Sequence, residues 1–248
     1  MSSYIPGAEP FYFPGGKKAC LLVHGFGGTP REMREYGRYL ASLGITAAGV
    51  GLTGHALAAG QPCRVPWRRW VADVEKEMLR LQDEGRTVYL CGLSMGGSIS
   101  LYLAARYAPA GVITVCTPVY INLMRHLPSV CRFLRRLDRE IWLDIHSARA
   151  RAAHIGAESV NPLWGLELLA LLRQARRGLS GVKAPLLMFQ ALEDRTIPPE
   201  NALLIYRSVS SRQKEIVWLD DSGHVATEDH QKQLVFERTG EFILHDGP

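Results

Sequence analysis

Ser94, Asp194 and His224, far apart along the chain, are the types of side chain that together perform nucleophilic catalysis. Ser94 stands in Gly92-Leu93-Ser94-Met95-Gly96, between the apolar run Thr87–Cys91 and a helical pattern, Ile99–Tyr107. A G-x-S-x-G pentapeptide joining a strand to a helix makes a turn so tight that the serine takes a strained backbone, with its hydroxyl lifted clear of the sheet. Side chains at 92 and 96 larger than hydrogen are expected to collide with the neighbouring strand and helix. A serine hydroxyl is barely ionised at neutral pH, so its attack on a carbonyl needs a base. Imidazole, with an ordinary pKa of about 6.5, suits that task. A carboxylate then holds the ring in one tautomer and stabilises the imidazolium that forms. The chemistry of such a set is acyl transfer. The plainer alternative, a glycine-rich turn with an incidental serine, must be weighed against the rest of the chain.

The elements that would position these residues alternate. Ala19–Val23, Ile45–Val50, the run before Ser94, Gly111–Cys116, Pro185–Gln190 and Glu215–Leu219 read as buried strands, with Phe11–Phe13 as a short edge strand. Helical patterns lie between them. One runs from an N-cap at Thr29 and a first-turn Pro30 through Met33, Tyr36, Gly37 and Leu40 to near Gly44. Others cover Trp67–Leu81, with Trp70, Val71, Val74 and Met78 on one face, residues 199–209, and a last helix from about Thr227 to Leu244. This spacing predicts parallel βαβ units, hence an α/β domain whose sheet is covered on both faces.

The alternation breaks at Pro118. From Tyr120 to about Gly181 there are only helical fragments (Leu123–Leu137, Arg149–His154, Leu166–Arg176), broken by Pro128, Gly156 and Pro162. Such an insertion predicts a lid over the ligand-binding edge, a peripheral helix pair being the alternative.

In a parallel α/β sheet ligands bind beyond the carboxyl ends of the strands. The polar loops His24–Thr29, Gly92–Gly97, Glu193–Pro198 and Asp221–Val225 all fall at such ends. Ser94, Asp194 and His224 follow the chain order Ser…Asp…His of α/β-hydrolases. The D-x-x-[I/V]-P spacing favours Asp194 over Glu193, Asp220 and Asp221, and His230, inside the last helical pattern, reads as a surface residue. His24 and His55 read as loop-bracing hydrogen bonders, and Asp73 as serving the helix surface or a loop contact.

Six segments carry a resemblance: Leu22-Val23-His24-Gly25-Phe26-Gly27-Gly28, Gly51-Leu52-Thr53-Gly54-His55, Trp70-Val71-Ala72-Asp73-Val74, Gly92-Leu93-Ser94-Met95-Gly96-Gly97, Glu193-Asp194-Arg195-Thr196-Ile197-Pro198 and Ser222-Gly223-His224. With them the chain resembles the serine carboxylesterase and monoacylglycerol-lipase branch of the α/β-hydrolase superfamily, and most nearly small bacterial carboxylesterases with a short helical cap. The resemblance spans almost the whole chain and is weakest over 119–181. It implies a mostly parallel central sheet with a small helical cap inserted after the sixth strand, the core being residues 1–118 and 182–248 and the cap 119–181.

It also implies Ser94 as nucleophile, His224 as general base and acid, Asp194 as orienting carboxylate, and the N–H groups of Phe26 and Met95 as oxyanion donors. Phe26, Met95, Leu123, Leu127 and Ile197 are expected to contact substrate. The chain departs from these relatives at Gly51–Ala56, where they tend to read L-P-G-H-G: the proline is missing and Ala56 replaces the second glycine.

The expected activity is hydrolysis of short- to medium-chain carboxylic esters, extending to monoacylglycerols. Apolar residues of the insertion (Leu123, Met124, Leu127, Trp164 among them) suggest an acyl pocket. Another hydrolase of the same fold, an amidase or C–C bond hydrolase, is the nearer alternative, and a catalytically silent binding protein the farther one. A dehalogenase is disfavoured because position 94 is Ser rather than Asp.

No His/Cys/Asp cluster has ligand spacing and no phosphate-binding glycine loop occurs, so neither metal nor cofactor is expected. The net charge of +5 is concentrated between Arg125 and Arg151 and between Arg173 and Arg177, which argues against a nucleic-acid face. Five cysteines without C-x-x-C spacing, no secretion signal pattern and no apolar run of spanning length predict a cytoplasmic protein without stable membrane insertion. A monomer or weak homodimer is expected.

Overall fold

The structure, a computed structural model, describes residues 4–57, 65–121, 144–156 and 162–247. Its strands are β1 (Phe11–Phe13), β2 (Lys18–Val23), β3 (Thr46–Val50), β4 (Thr87–Leu93), β5 (Gly111–Val115), β6 (Leu186–Ala191) and β7 (Lys214–Leu219). The helices among the described residues are α1 (Arg34–Ser42), α2 (Trp67–Asp83), α3 (Met95–Tyr107), α4 (Ala148–Ala153), α5 (Pro162–Gly178), α6 (Glu200–Ser208) and α7 (Lys232–His245). A 3-10 turn, Pro30–Met33, precedes α1, capped by the Thr29 side chain with Pro30 at its first position.

The seven strands lie in the order β1-β3-β2-β4-β5-β6-β7. All neighbours pair in parallel except the edge strand β1, which runs antiparallel to β3. Strand residues alternate between two cores. Cys20, Leu22, Tyr89, Cys91, Ile113, Leu187 and Phe189 face one side, where Met33, Tyr36 and Leu40 from the first helical stretch meet Val235, Phe236 and Phe242 of α7. Ala19, Leu21, Val23, Val88 and Leu90 face the other, against Trp70, Val74 and Met78 of α2 and Ile99 and Leu103 of α3. The nearly unbroken apolar character of these strands follows: a parallel strand under helices on both faces has no wet side.

The chain steps from β2 outward to β3, then returns across β2 to β4 and continues the opposite way. The strand order therefore reverses between β2 and β4, and the loops leaving their carboxyl ends diverge and open a crevice there. Those are the loops beginning at His24 and Ser94.

The insertion leaves the fifth strand along the chain, β5, rather than the sixth. Among the described residues ahead of β1 the chain contributes only an isolated bridge, Tyr4 to Leu57, where a further strand would have raised the count. The expected helix Leu123–Leu137 lies outside the described residues. The later fragments form α4 and α5, and Trp164, Leu168, Leu171 and Leu172 of α5 pack into the core beneath α2 and α3. The last helix starts at Lys232, not near Thr227, because the intervening residues turn around the Asp229 carboxylate. No helix among the described residues is long and apolar enough to cross a membrane.

Candidate active site

β4 ends and α3 begins around Ser94, whose backbone sits at φ 52° and ψ −119°. A Cβ at Gly92 would lie 2.1 Å from the Gly96 carbonyl carbon, and one at Gly96 would lie 2.2 Å from the Val23 carbonyl oxygen on β2. Helix and neighbouring strand thus press on the turn from two sides, and the strain of roughly 1–3 kcal/mol at such a residue is held by its surroundings. Val115 of β5 contributes by accepting the Ser94 N–H at 2.8 Å.

Two further loops bring the remaining side chains to this point. His224 lies in the turn after β7, with Nδ1 2.8 Å from Asp194 Oδ2 and Nε2 2.9 Å from Ser94 Oγ. A carboxylate can only accept, so the proton on the ring belongs to Nδ1, and Nε2 accepts from the serine hydroxyl. All three residues are buried. Burial by itself would lower the imidazole pKa. The Asp194 carboxylate, helped by Asp144 and Glu32, outweighs it and raises the value above the ordinary one.

Asp194 follows β6. Its Oδ1 accepts the N–H groups of Thr196 at 2.9 Å and Ile197 at 2.7 Å. This is the physical content of the D-x-x-I-P spacing: the carboxylate closes the turn two and three residues on, leaving Oδ2 for His224. The rival carboxylates point elsewhere. Glu193 is exposed beside His146, Asp220 accepts from Gln231, and Asp221 pairs with His230 at 3.1 Å. His230, half exposed, lies in the turn ahead of α7 rather than within it.

Met95 opens α3 directly after Ser94, so its N–H belongs to a helix terminus that favours negative charge. Gly25, next to Phe26, approaches the serine so closely that a Cβ there would lie 3.6 Å from Ser94 Cβ. The Phe26 ring packs edge-on against His55, Trp70 and Trp164. Ile197 is buried beside Asp194, whereas Leu123 and Leu127 lie outside the described residues.

Of the two histidines read as loop braces, His24 is one. Its Nδ1 donates to the Gly25 carbonyl at 2.8 Å and its Nε2 accepts the Leu52 N–H at 3.3 Å. Burial lowers its pKa to about 4, so the ring is neutral. The His55 ring packs in the Phe26, Trp70 and Trp164 cluster, and burial outweighs the nearby Thr53 and Leu52 backbone in holding its pKa well below the ordinary value. Asp73 braces that loop from α2, accepting the Thr53 N–H at 2.7 Å.

Two carboxylates near Ser94, His224 and Asp194 escaped the sequence reading. Asp144 accepts the Arg195 N–H at 2.7 Å, and its carbonyl accepts the Val225 N–H at 3.2 Å. It therefore bridges the residue after Asp194 and the residue after His224. Asp229 gathers the N–H groups of Gly223, His146, Ser147 and His230 at 2.7–2.9 Å. Segment 144–147 is thereby a strap across the acid-bearing and base-bearing loops. Neither aspartate stands in a recognisable motif; the only signal was a carboxylate five residues beyond His224.

Cys116 Sγ, an Asp194 oxygen and a His224 nitrogen lie within 4.8 Å of one another, the spacing of a metal-ligand set. The imidazole and carboxylate are bonded to each other, and burial, with Asp194 alongside, pushes the Cys116 thiol well above its ordinary pKa and keeps it protonated. This donor chemistry fits a hydrogen-bonded pair beside a neutral thiol.

A mostly parallel seven-stranded sheet with helices on both faces and a serine-bearing elbow at its reversal point is an α/β-hydrolase fold. A family model described as Hydrolase_4, serine aminopeptidase S33, matches residues 15–231, and the chain belongs to that family. It is similar to a thermostable monoacylglycerol lipase of Bacillus sp. (strain H-257), 35% identical over 98% of both chains. A carboxylesterase of Bacillus subtilis (strain 168) is 29% identical over 95% of this chain and 96% of its own. Among solved structures, one from work on the metagenome-derived lipolytic enzymes LipS and LipT superposes with a TM-score of 0.87 at 29% identity, covering 98% of this chain and all of the other. The protein is a carboxylic-ester hydrolase.

Proposed function

We propose that the chain hydrolyses short- to medium-chain carboxylic esters, monoacylglycerols among them, through an acyl-enzyme on Ser94. Ser94 Oγ attacks the ester carbonyl while His224 Nε2 takes its proton, and Asp194 stabilises the imidazolium. The N–H groups of Phe26 and Met95 hold the oxyanion. His224 gives the proton to the departing alcohol, and water then repeats the sequence to release the acid. The observation that carries this reading is the unbroken series from Ser94 Oγ through His224 to Asp194, at 2.9 and 2.8 Å. Phe26, Met95, Leu123, Leu127 and Ile197 are the substrate-binding residues, the insertion 119–181 acts as a cap rooted in the core by α5, and the protein works in the cytoplasm as a monomer or weak homodimer.

A fluorophosphonate probe should label Ser94 stoichiometrically, and Ser94→Ala should lose ester turnover with its circular dichroism unchanged. Retained turnover in that variant ends the assignment. Rates on p-nitrophenyl esters of increasing acyl length test the substrate range, which fails if only the acetyl ester is accepted. The family description, serine aminopeptidase, favours one second reading, amide-bond hydrolysis. Comparing a p-nitrophenyl ester with the matching p-nitroanilide separates the two.

A further inference from the structure

A second run of ionisable side chains lies beside the triad and takes no part in the chemistry above. Glu32, on the 3-10 turn just past the Gly25–Gly28 loop, is buried, and its Oε2 accepts the Gly25 N–H at 3.0 Å. The loop is folded around this carboxyl so tightly that a Cβ at Gly28 would lie 1.9 Å from Oε1. On its other side Oε1 faces His154 Nε2 at 3.9 Å, and His154 Nδ1 lies 2.6 Å from Glu228 Oε2. His154 ends α4, and Glu228 stands four residues beyond His224, its N–H bonded to the Val225 carbonyl. A parallel tie runs from the Thr29 hydroxyl to the Ile155 carbonyl at 2.9 Å.

We propose that Glu32 is a positioning residue for ester hydrolysis: it fixes the oxyanion loop through Gly25 and, through His154 and Glu228, couples that loop to the one carrying His224. The proposal rests on the reading of Phe26 and Met95 as oxyanion donors. Burying a carboxyl is costly unless it is paired and hydrogen-bonded, and among the described residues this one has a single backbone donor and one imidazole near at hand. A hydrophobic side chain would fill the space without that cost but would leave the Gly25 N–H without its acceptor. A donor loop displaced by a fraction of an ångström loses most of its stabilisation of the developing oxyanion.

Charge on Glu32 also reaches the base. Among the described residues the ionisable groups facing it are His154 from the end of α4, Glu228 from the turn after β7, and His224 itself. Burial raises the Glu32 pKa to about 7 against the pull of His154, so its charge changes near neutrality. When ionised it helps to raise the pKa of His224. Removing that charge must therefore move the acid limb of the pH profile downward.

The test uses the whole protein and p-nitrophenyl butyrate, with Glu32→Ala, Glu32→Gln and, as control, Ser94→Ala. Glu32→Ala should lower kcat about tenfold or more while KM stays within about twofold. Glu32→Gln retains an acceptor for Gly25; it should recover most of kcat and shift the acid midpoint of kcat/KM down by about 0.3 pH unit or more. Both Glu32 variants keeping wild-type kcat and midpoint, with the control inactive, would overturn this proposal alone. An active Ser94→Ala control would overturn the acyl-enzyme reading beneath it.

Discussion

Gly223 lies against the backbone of Asp144, close enough that a Cβ on it would meet the Asp144 carbonyl oxygen at 2.4 Å. The glycine before His224 is thus demanded by close approach of the strap, and any side chain there must push the strap or the base loop aside. Gly223→Ala should lower kcat about tenfold or more through displacement of the imidazole, in protein that still folds. Steady-state kinetics alongside a thermal melt checks this, and unaltered kcat would show that the loop yields without moving His224.

Asp229 holds the same strap from the other side. Asp229→Ala leaves the N–H groups of Gly223, His146, Ser147 and His230 without their acceptor and should cost about 2–4 kcal/mol of stability. Burial works against its charged form, but those N–H bonds outweigh it and hold the carboxyl below its ordinary pKa. Its stabilising effect is therefore complete above the unfolded value of about 3.9 and disappears as pH falls through the folded one. Urea titrations of both proteins at pH 7 and pH 3 should show the gap closing in acid.

The proposed mechanism requires His224 as the neutral base, and its pKa is raised. Activity should rise with pH through a midpoint above about 6.5, the ordinary imidazole value. Asp194→Asn removes the main raising influence together with the tautomer control and should lower kcat by three to four orders of magnitude, roughly. A pH profile of kcat/KM with its midpoint below that of free imidazole would contradict the assigned electrostatics.

Ala56 stands at φ 59°, in the left-handed region, where the resembling L-P-G-H-G pattern has glycine. Ala56→Gly should stabilise the fold by about 0.5–1 kcal/mol, since the Cβ strain removed exceeds the added chain entropy of the unfolded state. The melting temperature measures it, and a drop would mean that the alanine methyl has packing worth more than the strain.

Much of this was legible in the sequence because it is local. The glycines at 92 and 96, the turn that Asp194 closes with the N–H groups of residues 196 and 197, and the apolar strands of a doubly covered sheet each express themselves within a few residues. The links among Glu32, His154 and Glu228, and the reach of Asp144 to both Arg195 and Val225, join residues separated by dozens of positions, with no periodicity to reveal them. His55 was only partly legible for a related reason: a histidine after Gly54 reads as a polar brace, and only packing shows the aromatic rings around it. The start of α7 was misplaced because a carboxylate that gathers four N–H groups overrides local helix preference.

The strap sets a rule for engineering. Residues 144–147 lie within the insertion and are hydrogen-bonded to the loops bearing both Asp194 and His224, so a segment exchanged between relatives should end ahead of Asp144, not behind Ser147. A chimaera cut at the later point would import a foreign splint into the triad and require Asp229 to accept donors it was not shaped for.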